Sequence, residues 1–117
     1  MKQKPGIWLA RSLNNASKAA ISVNAAAAAL SQPVICVVGP TASGKTDVAQ
    51  VIAQRINGEV VSADSMQVYR GMDIGTGKLP VSERLVSHHG FDLVDPGEPF
   101  SAALFQAYAR QSFVEIE

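Results

Sequence analysis

The sequence predicts an α/β protein built on a doubly wound parallel sheet, and three features carry that expectation. A continuous run of apolar, mostly β-branched residues, Val34 to Val38, enters a glycine-bearing loop. An amphipathic helical stretch leaves that loop. Two further strand-like runs follow, and a turn leads from the second into another helical stretch.

Val34, Ile35, Cys36, Val37 and Val38 read as a strand buried on both faces, because a parallel strand covered by helices above and below has no polar side. Cys36 is expected there as a buried packing residue; as the sole cysteine it excludes an intrachain disulfide, which suits a reducing compartment. In the next element Val48, Ala49, Ile52, Ala53 and Ile56 share one helical face, with Gln50, Gln54 and Arg55 away from it. Asn57-Gly58 is a stop signal. Glu59 to Ala63 reads as a second strand that ends at Asp64.

"GMDIGTGKLP", residues 71–80, holds three glycines and a proline and reads as a loop. A short third strand is expected around Phe91 to Val94, after which Asp92 and Asp95 are expected to cap the turn at Pro96-Gly97. Ser101 is placed to cap a last helix with Leu104, Ala107 and Tyr108 on its apolar face. Three strands under two helices leave a sheet edge and part of a face bare, so the sheet reads as truncated after about three strands. The expectation is a piece of a longer protein.

Composition narrows the class. With 47% hydrophobic and 17% charged residues in 117, the chain is one globular domain at most. No apolar run is long enough to span a membrane. The formal net charge of zero hides an asymmetry: residues 1–33 carry four bases and no acid, residues 34–117 six bases and ten acids. Residues 1–32, basic and Ala-rich, are expected to be a poorly ordered extension, and the domain proper to occupy 33–117. A cytoplasmic location follows, or a mitochondrial one if that extension is a transit peptide. The acidic remainder is too weakly basic to grip nucleic acid by bulk charge, so such a partner needs local readout or residues outside this sequence.

The chemistry starts at Gly39-Pro40-Thr41-Ala42-Ser43-Gly44-Lys45-Thr46, which satisfies G-x-x-x-x-G-K-[ST] in full. Its glycines let the backbone curl so that N–H groups point inward, the following helix adds the positive end of its dipole, and Lys45 adds a full charge. Thr46 supplies a hydroxyl suited to Mg²⁺. A random match is expected at roughly one position in 10⁴, and the strand before it and the helix after it are the context the motif requires. The fold is therefore expected to be P-loop NTPase-like. The loop alone specifies a polyphosphate and leaves the reaction open.

Asp64 closes the second strand, and in open α/β sheets ligands lie at the carboxyl ends of the strands, so Asp64 should face the same crevice as Lys45. A carboxylate there suits a metal ligand, a ribose contact, a general base or a turn cap. His88 and His89 lack a third ligand spaced for a metal site. Arg70, Thr76 and Lys78 can meet phosphate or nucleic acid, or stand as solvated loop residues.

"GPTASGKT", "SADSMQVYRGMDIGTGK" and "HHGFDLVDPGEPFSAALFQ", in that order, resemble the tRNA dimethylallyltransferase family over about residues 34 to 110. Gly77 stands where that family more often has alanine. The resemblance implies a prenyltransferase that moves a dimethylallyl group from its diphosphate to N6 of the adenine beside the tRNA anticodon and releases diphosphate. It implies that Gly39 to Thr46 hold the diphosphate with Mg²⁺ on Thr46, that Asp64 is the base, and that Thr41 lies near the bridging oxygen. Asp64, Ser65, Met66 and Gln67 would then receive the flipped adenine and its neighbours. The expected partners are the anticodon stem-loop of tRNA and dimethylallyl diphosphate, with no membrane and a monomeric state. The rival readings are an ATP-dependent small-molecule kinase of the same fold and an inactive diphosphate-binding fragment.

Overall fold

In the computed structural model of the chain the described residues are 6–11 and 34–116. They form a four-stranded, wholly parallel sheet and two long helices. The strands are β1 (Gly6–Arg11), β2 (Ile35–Gly39), β3 (Glu59–Ala63) and β4 (His88–His89), and the helices are α1 (Lys45–Ile56) and α2 (Ala102–Ile116). A single 3₁₀ turn, Val81–Glu83, precedes β4. Across the sheet the order is β2-β1-β3-β4.

The doubly wound plan rests on the period of two along β3. Successive side chains of a strand point to opposite faces. Val60, on one face, packs with Ala49 and Ala53 of α1; Val61, on the other, packs with Ala109, Phe113 and Ile116 of α2. One helix therefore covers each face. Burying Val60 and Val61 completely contributes about 1.5–3 kcal/mol apiece, which makes this short strand the centre of the fold.

α1 ends as its sequence requires. Asn57 adopts the left-handed conformation, its N–H reaches back to the carbonyls of Ala53 and Gln54, and the N–H of Gly58 bonds the Ala53 carbonyl. At the start of α2, Ser101 accepts at Oγ from the Leu104 N–H at 3.2 Å, the expected cap. Among the described residues no helix is long and apolar enough to cross a membrane.

Several expectations are corrected. Gly6–Arg11, placed by sequence in a poorly ordered extension, forms β1 and pairs in parallel with both β2 and β3. The described sheet thus has four strands, where three were expected. The rest of the 1–32 extension lies outside the described residues. With β1 filling the middle of the sheet, β2 becomes an edge: Val38 is 70% exposed, and Cys36 is exposed where burial was expected. The short strand after the 71–80 loop falls at His88–His89, and Val94 makes only an isolated bridge to Tyr69.

The helix faces also shift. Gln50 is buried and accepts the Leu85 N–H at 2.7 Å, whereas Val48 is half exposed. On α2 the buried positions are Ala109, Ser112, Phe113 and Ile116, while Leu104 and Ala107 face outward. The Leu85 segment crossing α1 buries Gln50 beside Ala49 and Ala53, so the buried stripe is only partly the one that apolar spacing selects.

Candidate functional site at the carboxyl end of the sheet

The 39–46 loop leaves β2 and curls into α1. Two left-handed positions, Ala42 and Gly44, make the curl. Two side chains fasten it from inside, Ser43 Oγ donating to the Pro40 carbonyl at 2.7 Å and Lys45 Nζ donating to the same oxygen at 2.6 Å. A Cβ at Gly39 would approach Ser43 Oγ at 3.1 Å, tighter than ordinary contact.

β3 delivers Asp64 to the neighbouring position. Its side chain is 5% exposed, and Oδ1 accepts the N–H of Met66 at 2.8 Å and of Gln67 at 3.3 Å. The carboxylate thus organises the turn that follows it and is held in one orientation. Ser65 and Met66 stand on that turn, exposed.

A third wall comes from the 71–78 loop. Gly71, Gly75 and Gly77 all have positive φ, and Gly75 and Gly77 bracket Thr76. Gln67 holds this wall to the sheet: its Oε1 accepts from Ser62 Oγ at 2.8 Å and its Nε2 donates to the Thr76 carbonyl at 3.0 Å. Thr76 Oγ1 donates to the Met72 carbonyl and accepts the Lys78 N–H, closing the loop on itself.

These walls enclose a cleft of about 330 Å³, lined by residues 41–46, by Ser62, Asp64 and Gln67, and by residues 75–77. Lys45, Thr41, Thr46 and Asp64, which the sequence pairs only by inference, therefore share one opening. Gly39, Pro40, Ser65 and Met66 shape or flank it without lining it. Ser62, Gly75 and Gly77 were not singled out by sequence, and Thr76 only as a phosphate or nucleic-acid contact or a solvated loop residue; the three closely spaced glycines were the available signal. Gln67, expected to read a base edge, is 6% exposed and has both amide atoms engaged within the chain.

Below the third wall lies an ionic knot. Lys78 is buried, its side chain 4% exposed, and Nζ donates to Asp92 Oδ1 at 2.6 Å, to Asp73 Oδ1 at 2.8 Å and to the Tyr69 carbonyl at 2.8 Å. Burial pulls its pKa down, but hydrogen bonds and charge from Asp73 and Asp92 prevail and hold it above the usual lysine value. Arg70 pairs with Asp95 at 3.1 Å and also reaches the Leu93 carbonyl. Asp92 and Asp95, expected to cap the Pro96-Gly97 turn, are instead the acceptors for these two cations.

The histidines belong to the framework. His89 Nε2 lies 2.7 Å from Glu59 Oε2, and His88 Nδ1 lies 2.9 Å from the Val86 carbonyl, so the His88 proton sits on Nδ1. The His88 ring stacks on Phe91, over which Arg84 also lies, and its Nε2 is buried without a partner. Burial lowers the His88 pKa, with Arg84 and His89 adding repulsion. Among the described residues no cluster of three His, Cys, Asp or Glu side chains is arranged to hold a metal ion.

Fold and cleft together define an α/β protein with an open cleft at the carboxyl ends of parallel strands. Comparison with known proteins is more particular: residues 67–117 match the family described as IPP transferase. A protein named tRNA dimethylallyltransferase from Heliobacterium modesticaldum is 62% identical over 81 residues, covering 68% of this chain and 25% of that protein. One of the same name from Moorella thermoacetica is 50% identical over 91 residues, covering 73% of this chain and 28% of that protein. A third, from a Nocardioides species, is 52% identical over 85 residues, covering 72% and 27%. The chain thus spans between a quarter and three tenths of the length of these relatives. No solved structure matches.

Proposed function

We propose that this chain forms the donor-binding and base-bearing part of a tRNA dimethylallyltransferase on a P-loop NTPase-like fold. The observation that carries the reading is the shared cleft: the anion-binding loop and the strand-end carboxylate line the same opening. Donor and acceptor can meet only if those two chemistries coincide.

In this reading the diphosphate of dimethylallyl diphosphate lies in the 39–46 loop, against backbone N–H groups, the N-terminus of α1 and the Lys45 ammonium. Lys45 would exchange its bond to the Pro40 carbonyl for phosphate oxygen. Negative charge gathers on the diphosphate as the allylic C–O bond breaks, and Lys45 offsets it, with the Thr41 hydroxyl near the bridging oxygen. The cleft offers oxygen donors of the hard kind that Mg²⁺ prefers, and no competing nitrogen or sulfur cluster stands among the described residues. Mg²⁺ would be held by Thr46 and the donor's own phosphate oxygens and would supply further neutralising charge.

The acceptor is an exocyclic adenine amine, a poor nucleophile until it sheds a proton. Asp64, held by the Met66 and Gln67 N–H groups, would take that proton as the C–N bond forms. The base must leave its stack to enter, and the exposed Ser65 and Met66 stand where it would arrive. Gln67 acts as a strut for the cleft wall, since its amide is already engaged. The names of the relatives favour this reading over a small-molecule kinase. A cytoplasmic, monomeric enzyme is the working expectation.

The test measures transfer of a labelled dimethylallyl group to unmodified tRNA beside binding of pyrophosphate. Asp64→Asn should lower transfer by about 10² or more while changing pyrophosphate affinity less than about threefold. Equal loss of both would assign Asp64 to the metal or the fold and sink its role as base.

A further inference from the structure

Lys78 has spent every donor it owns. A lysine ammonium carries three N–H groups, and here they go to Asp73, Asp92 and the Tyr69 carbonyl, with the side chain 4% exposed. It therefore cannot also hold a phosphate of either substrate without breaking this knot. Desolvating an ammonium is costly, and the two carboxylates it meets remain about half exposed or more, so the arrangement is poorly suited to serve bulk stability alone. Its geometry explains it better.

The three acceptors come from three different segments: Tyr69 from the turn after Asp64, Asp73 from the glycine loop, and Asp92 from the stretch after β4. Asp92 itself takes a left-handed φ of 55°, and its N–H bonds the Gln67 carbonyl, so this segment is fastened to the Asp64 turn. The Lys78 N–H continues to Thr76 Oγ1, and the Thr76 carbonyl accepts from Gln67. One cation thus closes the chain of bonds that sets Gly75, Thr76 and Gly77 across from the 39–46 loop. Three positive-φ glycines would otherwise leave that loop with many accessible conformations.

We infer that Lys78 is a positioning residue for the acceptor side of the cleft: it fixes the 71–77 loop as the wall that an incoming nucleobase meets, and leaves the donor side unaffected. This rests on the transferase reading above. The donor loop has its own internal ties, to the Pro40 carbonyl, and shares no hydrogen bond with Lys78. The two halves of the cleft should therefore respond separately.

The experiment compares the unaltered chain with Lys78→Met and Lys78→Arg by amide hydrogen exchange, pyrophosphate titration and binding of an anticodon stem-loop RNA. In Lys78→Met the amides of 73–77 should exchange about tenfold faster or more, those of α1 and β3 should stay protected, and pyrophosphate affinity should hold within about threefold. RNA affinity should fall about tenfold, and Lys78→Arg, which keeps the charge, should recover most of the loss in both exchange and RNA binding. Unchanged exchange at 73–77, unchanged RNA affinity, or pyrophosphate affinity falling in step would each overturn the inference. If Lys78→Met unfolds, the double variant Lys78→Met with Asp92→Asn, which neutralises the less exposed of the two carboxylates left behind, carries the same comparison. Absence of pyrophosphate binding by the unaltered chain would count against the transferase reading, and the exchange result would still decide Lys78.

Discussion

The two sides of the cleft are held in opposite ways. The 39–46 loop is largely exposed, and the ties from Ser43 and Lys45 converge on a single carbonyl, that of Pro40. The 64–78 side is laced to β3, to residues 92–94 and to itself through buried or half-buried bonds. The difference follows what each must bind. Under the proposed function, a loop that meets polyphosphate would be completed by the ligand's own charge, whereas a wall that meets a neutral base would have to be preformed.

The comparison sharpens through substitutions of decreasing effect. Gly90 abuts β3 so closely that a Cβ would collide with the Ser62 carbonyl oxygen, and its φ of 92° disfavours any side chain. Gly90→Ala should cost about 4 kcal/mol, combining overpacking with backbone strain, read as a lowered urea midpoint. Gln67→Leu strands the Ser62 hydroxyl and the Thr76 carbonyl and should cost about 2 kcal/mol. A loss under about 0.5 kcal/mol would mean that the tied wall is no stiffer than the loop facing it.

Acid should act on the tied side in a smaller way. The His88 pKa is lowered in the folded chain, so once pH falls past about 6.5 the unfolded chain takes up the proton first. Folded-state stability should then decline with pH until it drops below the folded pKa. His88→Phe, which keeps a ring beside Phe91, should flatten that decline in urea titrations at pH 7 and pH 5. The smallest effect belongs to the open side: Ser43→Ala removes one exposed bond and should cost less than about 1 kcal/mol. A larger loss would show that the loop is prebuilt after all.

Local rules made part of this legible. The strand-loop-helix passage through residues 39–46, the Asn57 stop, the Ser101 cap and the strand leading to Asp64 each depend on a few adjacent residues, and each forms as the residues predict. Tertiary choices were hidden. A short run at residues 6–11 amid polar neighbours gives no sign that it will pair between two β-branched strands. Gln50 and Lys78 read as solvent-facing because polarity is the default signal of exposure, and only partners 35 and 14 residues away reverse it. Asp64 is legible as a cleft residue, yet its service to the turn shows only in the structure.

The lone thiol is exposed on β2, the edge strand of the described sheet, and partial desolvation raises its pKa above the usual thiol value. Cys36 is thus a ready-made attachment point for one fluorophore on β2, the strand that feeds the 39–46 loop. An emission change when the label becomes shielded would report any polypeptide that settles along that edge, without altering a single side chain of the cleft.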